Sequence, residues 1–361
     1  MNPQKFAKRL GRQSLSVLLP FVVACSHATI GPTSEAVPTD PIDGSVANTT
    51  DPLTVVLPGG ELGIGFDDLR YSPSLHRVLV PGGRTGIIAL VNPDTGDAES
   101  IAGFSREATF GGGHDFGVTS VDEGRGFLFA TDRNRRKLYV VDPKAKQIVN
   151  SVALGAGPDY VRYVDATDEV WVTEPGAEKL EIFSVSKDAL PTLKSIATIT
   201  VINGPESLVI DGKRGRAYTH RWDTSTVAID VHTRSVVGEW PNGCRASRGI
   251  DLDVEKGWLF AACGEGKVTV LDVDHDSAIL GSTSHGSGFD VVGYDPRKQH
   301  LYAAGSGSKS LSIFAVGASG VTLAGDSPAV SGTHCAVADD VGHAWYCDPT
   351  SGAVVRVTDG I

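Results

Sequence analysis

A pattern repeated about seven times between Gly60 and Ile361 predicts an all-β protein, a seven-bladed β-propeller of four-stranded blades. Three observations carry this expectation. Each copy opens on a Gly-rich bend and an acidic residue, then alternates apolar strands with polar turns, the texture of successive antiparallel hairpins. The copies recur every ~40–45 residues, the period of a propeller blade. The last copy stops one strand short, at Thr358-Asp359-Gly360-Ile361, while a surplus strand precedes the first.

The N-terminal segment belongs to targeting and is set aside from the fold. Lys5, Lys8, Arg9 and Arg12 make a basic stretch, and Leu15 to Ala24 is apolar but too short to span a bilayer core of about 30 Å as a helix. It ends in Val22-Val23-Ala24-Cys25, which resembles the lipobox of bacterial lipoproteins. That resemblance implies cleavage before Cys25, a diacylated Cys25 thiol and anchorage to a membrane through lipid; an ordinary cleaved secretory signal is the alternative. Ser26, by resemblance to enterobacterial sorting, fits delivery to the outer membrane, facing the periplasm or the exterior. The segment after Cys25 is rich in Ser, Thr, Pro, Ala and Asp without periodicity, and reads as a disordered tether. The expected organisation is therefore a signal peptide over 1–24, a lipidated tether over 25–51 and a propeller over 52–361.

The second strands of the repeat align most clearly. They are Arg77-Val78-Leu79-Val80, Phe127-Leu128-Phe129-Ala130, Glu169-Val170-Trp171-Val172, Arg216-Ala217-Tyr218-Thr219, Trp258-Leu259-Phe260-Ala261, His300-Leu301-Tyr302-Ala303 and His343-Ala344-Trp345-Tyr346. Polar turns such as Asp122-Glu123-Gly124-Arg125-Gly126 precede them and supply the dihedrals that hairpins require. Third strands follow, for example Lys137 to Asp142 and Val268 to Asp272, and weaker outer strands, for example Gln147 to Ala153 and Ser235 to Trp240. The surplus strand Leu53 to Leu57 looks like an outer strand, and by completing the last blade it would leave no open edge in the ring.

The strands Leu138-Tyr139-Val140-Val141-Asp142 and Val268-Thr269-Val270-Leu271-Asp272, with the bend Gly155-Ala156-Gly157-Pro158, resemble those of the YVTN-type seven-bladed propellers of bacteria and archaea, including their lactonase-like and surface-layer-like branches. The literal Tyr-Val-Thr-Asn tetrapeptide is absent; Phe129-Ala130-Thr131-Asp132 and Trp171-Val172-Thr173-Glu174 are near it. After Cys25, four cysteines remain, and an even count in an exported chain points to disulfides with three possible connectivities. Cys244–Cys263 and Cys335–Cys347 are favoured because each pair would lie within one blade. Metal binding is the rival, without a Cys-x-x-Cys spacing to support it.

In a propeller blade the start of the first strand and the end of the second open on the same face. The inner-start positions are Asp67, Asp115, Asp159, Glu206, Arg248, Asp290 and His334. The second-strand ends are Gly82, Asp132, Glu174, His220, Cys263, Gly305 and Cys347. Such a mouth would be strongly negative and attract cations. Three chemistries fit. Asp115, Asp159, Glu206 and Asp290 offer carboxylate oxygens to a divalent cation, Ca²⁺ or Mg²⁺, with His220 or His334 shifting the preference toward a transition metal such as Zn²⁺. A metal-assisted hydrolase of the lactonase type would use Arg248, His220 and His334 as catalytic candidates, Arg248 holding a substrate oxyanion. A plain binding mouth for a small molecule or an envelope protein would use Asp67, Asp115, Asp132, Asp159, Glu174, Glu206, His220, Arg248, Asp290 and His334 as ligand contacts. A structural alternative has the repeated acids accept hydrogen bonds from amides in the bends between blades. Arg248 and His334, standing where other copies have acids, and His220 and Glu174, where others have Gly or Cys, break the repeat.

Other features read first as framework: His114 beside Asp115 as a loop histidine, with reach to the mouth as the alternative, and Arg133-Asn134-Arg135-Arg136-Lys137 as a solvated charged turn, with docking on anionic headgroups as the alternative. The run Gly111-Gly112-Gly113 lacks the Lys-Ser/Thr of a phosphate loop. A net charge of −11 argues against nucleic acid as a partner. No Gly-x-Ser-x-Gly, His-Glu-x-x-His or Cys-x-x-Cys-His motif occurs. The function expected is a lipid-anchored binding propeller of the cell envelope, with the metal-assisted hydrolase as alternative.

Overall fold

A computed structural model describes residues 49–361; the signal peptide, Cys25 and most of the expected tether lie outside the described residues. Seven four-stranded antiparallel sheets form the blades of a propeller. Blade 1 is Arg70–Ser72, Arg77–Pro81, Ile87–Val91 and Ala98–Ala102. Blade 2 is Val118–Gly124, Phe127–Asp132, Lys137–Asp142 and Gln147–Ala153; blade 3 is Val161–Val164, Glu169–Glu174, Lys179–Val185 and Leu193–Thr200. Blade 4 is Glu206–Asp211, Arg216–His220, Ser225–Asp230 and Ser235–Pro241; blade 5 is Ser247–Asp253, Trp258–Cys263, Lys267–Asp272 and Ala278–Ser284. Blade 6 is Phe289–Asp295, His300–Gly305, Ser310–Gly317 and Gly320–Pro328. Blade 7 is Ala336–Ala338, His343–Asp348, Ala353–Asp359 and, as its outer strand, Thr49–Val56.

The ring therefore closes as the surplus strand predicts. Val55 sits opposite Val354 and Thr49 opposite Asp359 in an antiparallel ladder, irregular between Thr50 and Leu53 where Asp51 and Pro52 intervene. The strand begins at Thr49, four residues before the expected Leu53, so Thr49, Thr50 and Asp51 belong to the blade. Among the described residues no helix is long and apolar enough to cross a membrane.

Each sheet packs face to face against both neighbours, so its middle strands are covered on two sides. That explains why they read as continuous apolar runs: every residue of Ile87–Val91 and of Glu169–Glu174 is buried. Aromatic pairs bridge the blades, Phe129 stacked on Tyr163 and Phe260 tilted against Tyr294, with centroids 5.6 and 4.5 Å apart. Outer strands face solvent on one side; Ser235–Pro241 holds no buried residue, which accounts for its weak signal in the sequence.

Near the axis, blades approach closely enough to need glycine. A Cβ on Gly293 of blade 6 would stand 2.5 Å from the Val337 Cα of blade 7. A polar clamp joins the first three blades there. Arg162 donates to both oxygens of Asp68 at 2.6 and 3.0 Å, and Ser120 donates to Asp68 at 2.6 Å while accepting from the Val161 amide at 2.9 Å. All four are buried, so the charges are paired and hydrogen-bonded as the interior demands.

Candidate functional site: the mouth of the ring

The inner strands enter irregularly. The ladder to the second strand shifts between Ser247 and Ile250 in blade 5 and between Phe289 and Val292 in blade 6. Arg248 and Asp290 sit in these bulges, which re-aim side chains that a regular strand would commit to a blade interface. They line two adjoining cavities of about 520 and 480 Å³. Asp67, Asp115, Asp159, Glu206, Arg248 and Asp290 line the first; His334, Arg248 and Asp290 line the second. All seven inner-start residues thus come to one mouth.

Four further residues join them: His114 and Arg133, read from the sequence chiefly as loop and turn, and Trp222 and Tyr160, which it did not single out. Arg133, expected in a solvated turn, is turned inward with its side chain 14 % exposed. Its Nη2 donates to Asp67 at 2.6 Å and contacts Asp159, and its Nη1 donates to Asp115 at 2.9 Å. The turn is fixed by the Gly117 amide, which donates to Asn134 Oδ1, and by the Arg133 amide, which donates to the Gly117 carbonyl. His114 approaches Asp67 at 3.5 Å and lies with its ring centroid 5.4 Å from that of His334. Trp222, on the loop after the second strand of blade 4, donates Nε1–H to Glu206 at 2.5 Å while remaining 38 % exposed. Arg248 donates to the Ser247 carbonyl at 3.1 Å and forms no ion pair among the described residues.

Charge crowding divides the carboxylates. Burial works against ionising Asp67, but Arg133 and His114 overcome it and hold its pKa below the usual range. Asp159 competes for the same guanidinium; burial, with repulsion from Asp67 and Asp290, pushes its pKa up. Burial likewise raises Glu206 well above its ordinary value, with Asp159 and Asp290 adding to it, and raises Asp290. The Asp67 charge raises His114 to about 9. The mouth therefore mixes a readily ionised Asp67 with three carboxyls, Asp159, Glu206 and Asp290, that ionise reluctantly.

The second-strand ends are placed differently. Asp132, Glu174 and His220 are fully buried. Asp132 accepts from the Ser105 amide at 2.7 Å and Glu174 from the Ala156 amide at 3.0 Å, each binding the entry bend of its own blade. Cys263 does this covalently in blade 5, paired with Cys244, and Cys335–Cys347 is the other disulfide. Bend-holding by acids, anticipated at the inner-start ring, thus occurs at the second ring. His220 accepts from or donates to Thr226 Oγ1 at 2.9 Å and faces the Gly249 carbonyl at 3.2 Å, and burial lowers its pKa to about 4. The structure does not bring these three side chains to the solvent of the mouth. His114 and Arg133 lie in loops whose direction only tertiary partners decide; the one sequence signal for Trp222 is a large aromatic in a polar hairpin.

No family model matches the chain, and no curated protein matches it. Solved structures do resemble it. A chain of a mitotic checkpoint complex is 15 % identical with a TM-score of 0.70, covering 95 % of this chain and 98 % of that one. The WD40 repeats of RRP9 are 11 % identical with a TM-score of 0.70, covering 88 % and 99 %. A chain of Kuenenia stuttgartiensis hydrazine synthase is 12 % identical with a TM-score of 0.67, covering 83 % and 96 %. At these identities the likeness shows the propeller fold alone.

Proposed function

We propose that this propeller is a binding module, of YVTN type and held in the cell envelope by lipid on Cys25, that receives a cationic group of a protein or small molecule at its mouth. The observation carrying this reading is the Asp159–Glu206–Trp222 corner of the larger cavity, where carboxyl groups crowd beside a half-exposed indole. Carboxylate and aromatic face together suit a lysine or arginine side chain, through charge and cation–π attraction. The propeller neighbours include a chain of a named multiprotein complex, which fits a module for protein partners. Lipid anchorage rests on the lipobox-like Val22-Val23-Ala24-Cys25.

The test uses short Lys- and Arg-containing peptides titrated into the full chain, followed by tryptophan fluorescence and calorimetry. Binding is expected to weaken about 10-fold or more in Glu206→Gln and in Trp222→Ala, as for a contact worth roughly 1.4 kcal/mol. It is also expected to release protons near pH 7, seen as a dependence on buffer ionisation enthalpy, because a bound cation draws Glu206 and Asp159 into ionisation. Equal affinity in wild type and both variants would sink the reading. The metal-assisted hydrolase stays as a second reading because two histidines and Asp290 converge in the adjoining cavity.

A further inference from the structure

We infer that His114, Asp290 and His334 form a site for one divalent transition-metal ion, with zinc as its type ion. One ligand atom from each lies within 4.8 Å of the others. The three come from separate segments: the bend between blades 1 and 2, the bulge of blade 6 and the entry to blade 7. Two imidazoles and one carboxylate are the donor set of first-row divalent ions, whereas Ca²⁺ and Mg²⁺ favour oxygen throughout.

The surroundings are those of metal ligands. Asp67 faces His114 Nδ1 at 3.5 Å, and the Gly332 carbonyl faces His334 Nδ1 at 2.7 Å. Each contact can hold a proton on Nδ1 while an ion takes Nε2, the arrangement that outer partners impose on ligating histidines. The Phe66 carbonyl stands 2.9 Å from His334 Nε2. That carbonyl is an acceptor for Nε2–H, and an ion bound at Nε2 takes the place of this proton. The backbone of His334 is pinned by the adjacent Cys335–Cys347 disulfide, whose Cys347 sulfur lies 3.5 Å from the His334 amide nitrogen. Being oxidised, these two cysteines offer no thiolate to the ion.

The carboxylates of the broader cation site expected from the sequence are otherwise engaged: Asp115 and Asp159 with Arg133, and Glu206 with Trp222. Only Asp290 of that set belongs to the site. The cavity beside it, lined also by Arg248, leaves room for water or a ligand in an open coordination position. The inference does not rest on the peptide-binding reading, which uses Glu206 and Trp222.

The test takes the full chain, purified without a histidine tag or reductant, stripped by chelation and titrated calorimetrically with Zn²⁺ alone. One ion per chain is expected. Asp67→Asn should weaken binding about 10- to 100-fold, as loss of an outer partner does. His114→Ala and His334→Ala should weaken it more, and Glu255→Gln, exposed on the turn between the first two strands of blade 5, not at all. Cu²⁺ substituted into the wild-type chain should show imidazole nitrogen couplings in its electron paramagnetic resonance spectrum, a readout that needs no variant to fold. Absence of stoichiometric binding, a spectrum of oxygen donors only, or full affinity in folded histidine variants would overturn the site. Zinc binding that survives Glu206→Gln while peptide binding is lost would separate the two sites.

Discussion

At the scale of single residues, position in the repeat decides some side chains and neighbours decide others. Asp67, Asp159, Glu206, Arg248, Asp290 and His334 were legible as a mouth because each follows an inter-blade bend at the same place in its copy. Arg133 was not, because a basic turn looks solvated until Asp67 and Asp159 arrive from other blades to receive it. His220 shows the opposite case: a departure from the repeat that reads as chemistry and is buried against Thr226 and the Gly249 carbonyl. Its burial has a pH consequence. The unfolded histidine titrates near 6.5 and the folded one at about 4, so between these values the unfolded chain binds more protons. The contribution of His220 is complete above pH 6.5 and lost as pH falls toward 4, by up to about 3 kcal/mol. Denaturant unfolding across that range should show a steeper acid loss in wild type than in His220→Asn; parallel profiles would refute the assignment.

At the scale of elements, the second and third strands were readable because two covered faces require unbroken apolar sequence, whereas the outer strands, wet on one side, left a faint trace. The bulges of blades 5 and 6 were not readable, since a register shift depends on pairing geometry that no single strand encodes. Inner strands carry a further constraint, the closeness of adjacent blades. Gly293→Ala places a Cβ against backbone of Val337 and Ala338, which cannot swing aside. It should destabilise the fold by about 1–3 kcal/mol, as overpacking does, whereas Gly212→Ala, with nothing within 4 Å of the added Cβ, should change the urea midpoint little. Equal midpoints for the two would mean that the inner strands spread freely.

At the scale of the whole molecule, seven blades and their closure followed from counting strands, because a ring with an odd strand at each end has one way to satisfy both. The identity of a ligand did not follow, since the repeat encodes the scaffold and the site lives in its departures from it. Closure predicts that a chain starting at Leu57 leaves Ala353–Asp359 as an open edge. Such a chain should associate or aggregate in size-exclusion chromatography where one starting at Thr49 stays dispersed; identical elution would deny Thr49–Val56 its role. The same ladder orders events in time. About 300 residues separate Val55 from its partner Val354, so the earliest described strand leaves the ribosome long before anything exists to receive it. While the blades between them are being made it has no partner, and Asp51 and Pro52 within it are residues that discourage a stranger from pairing there first.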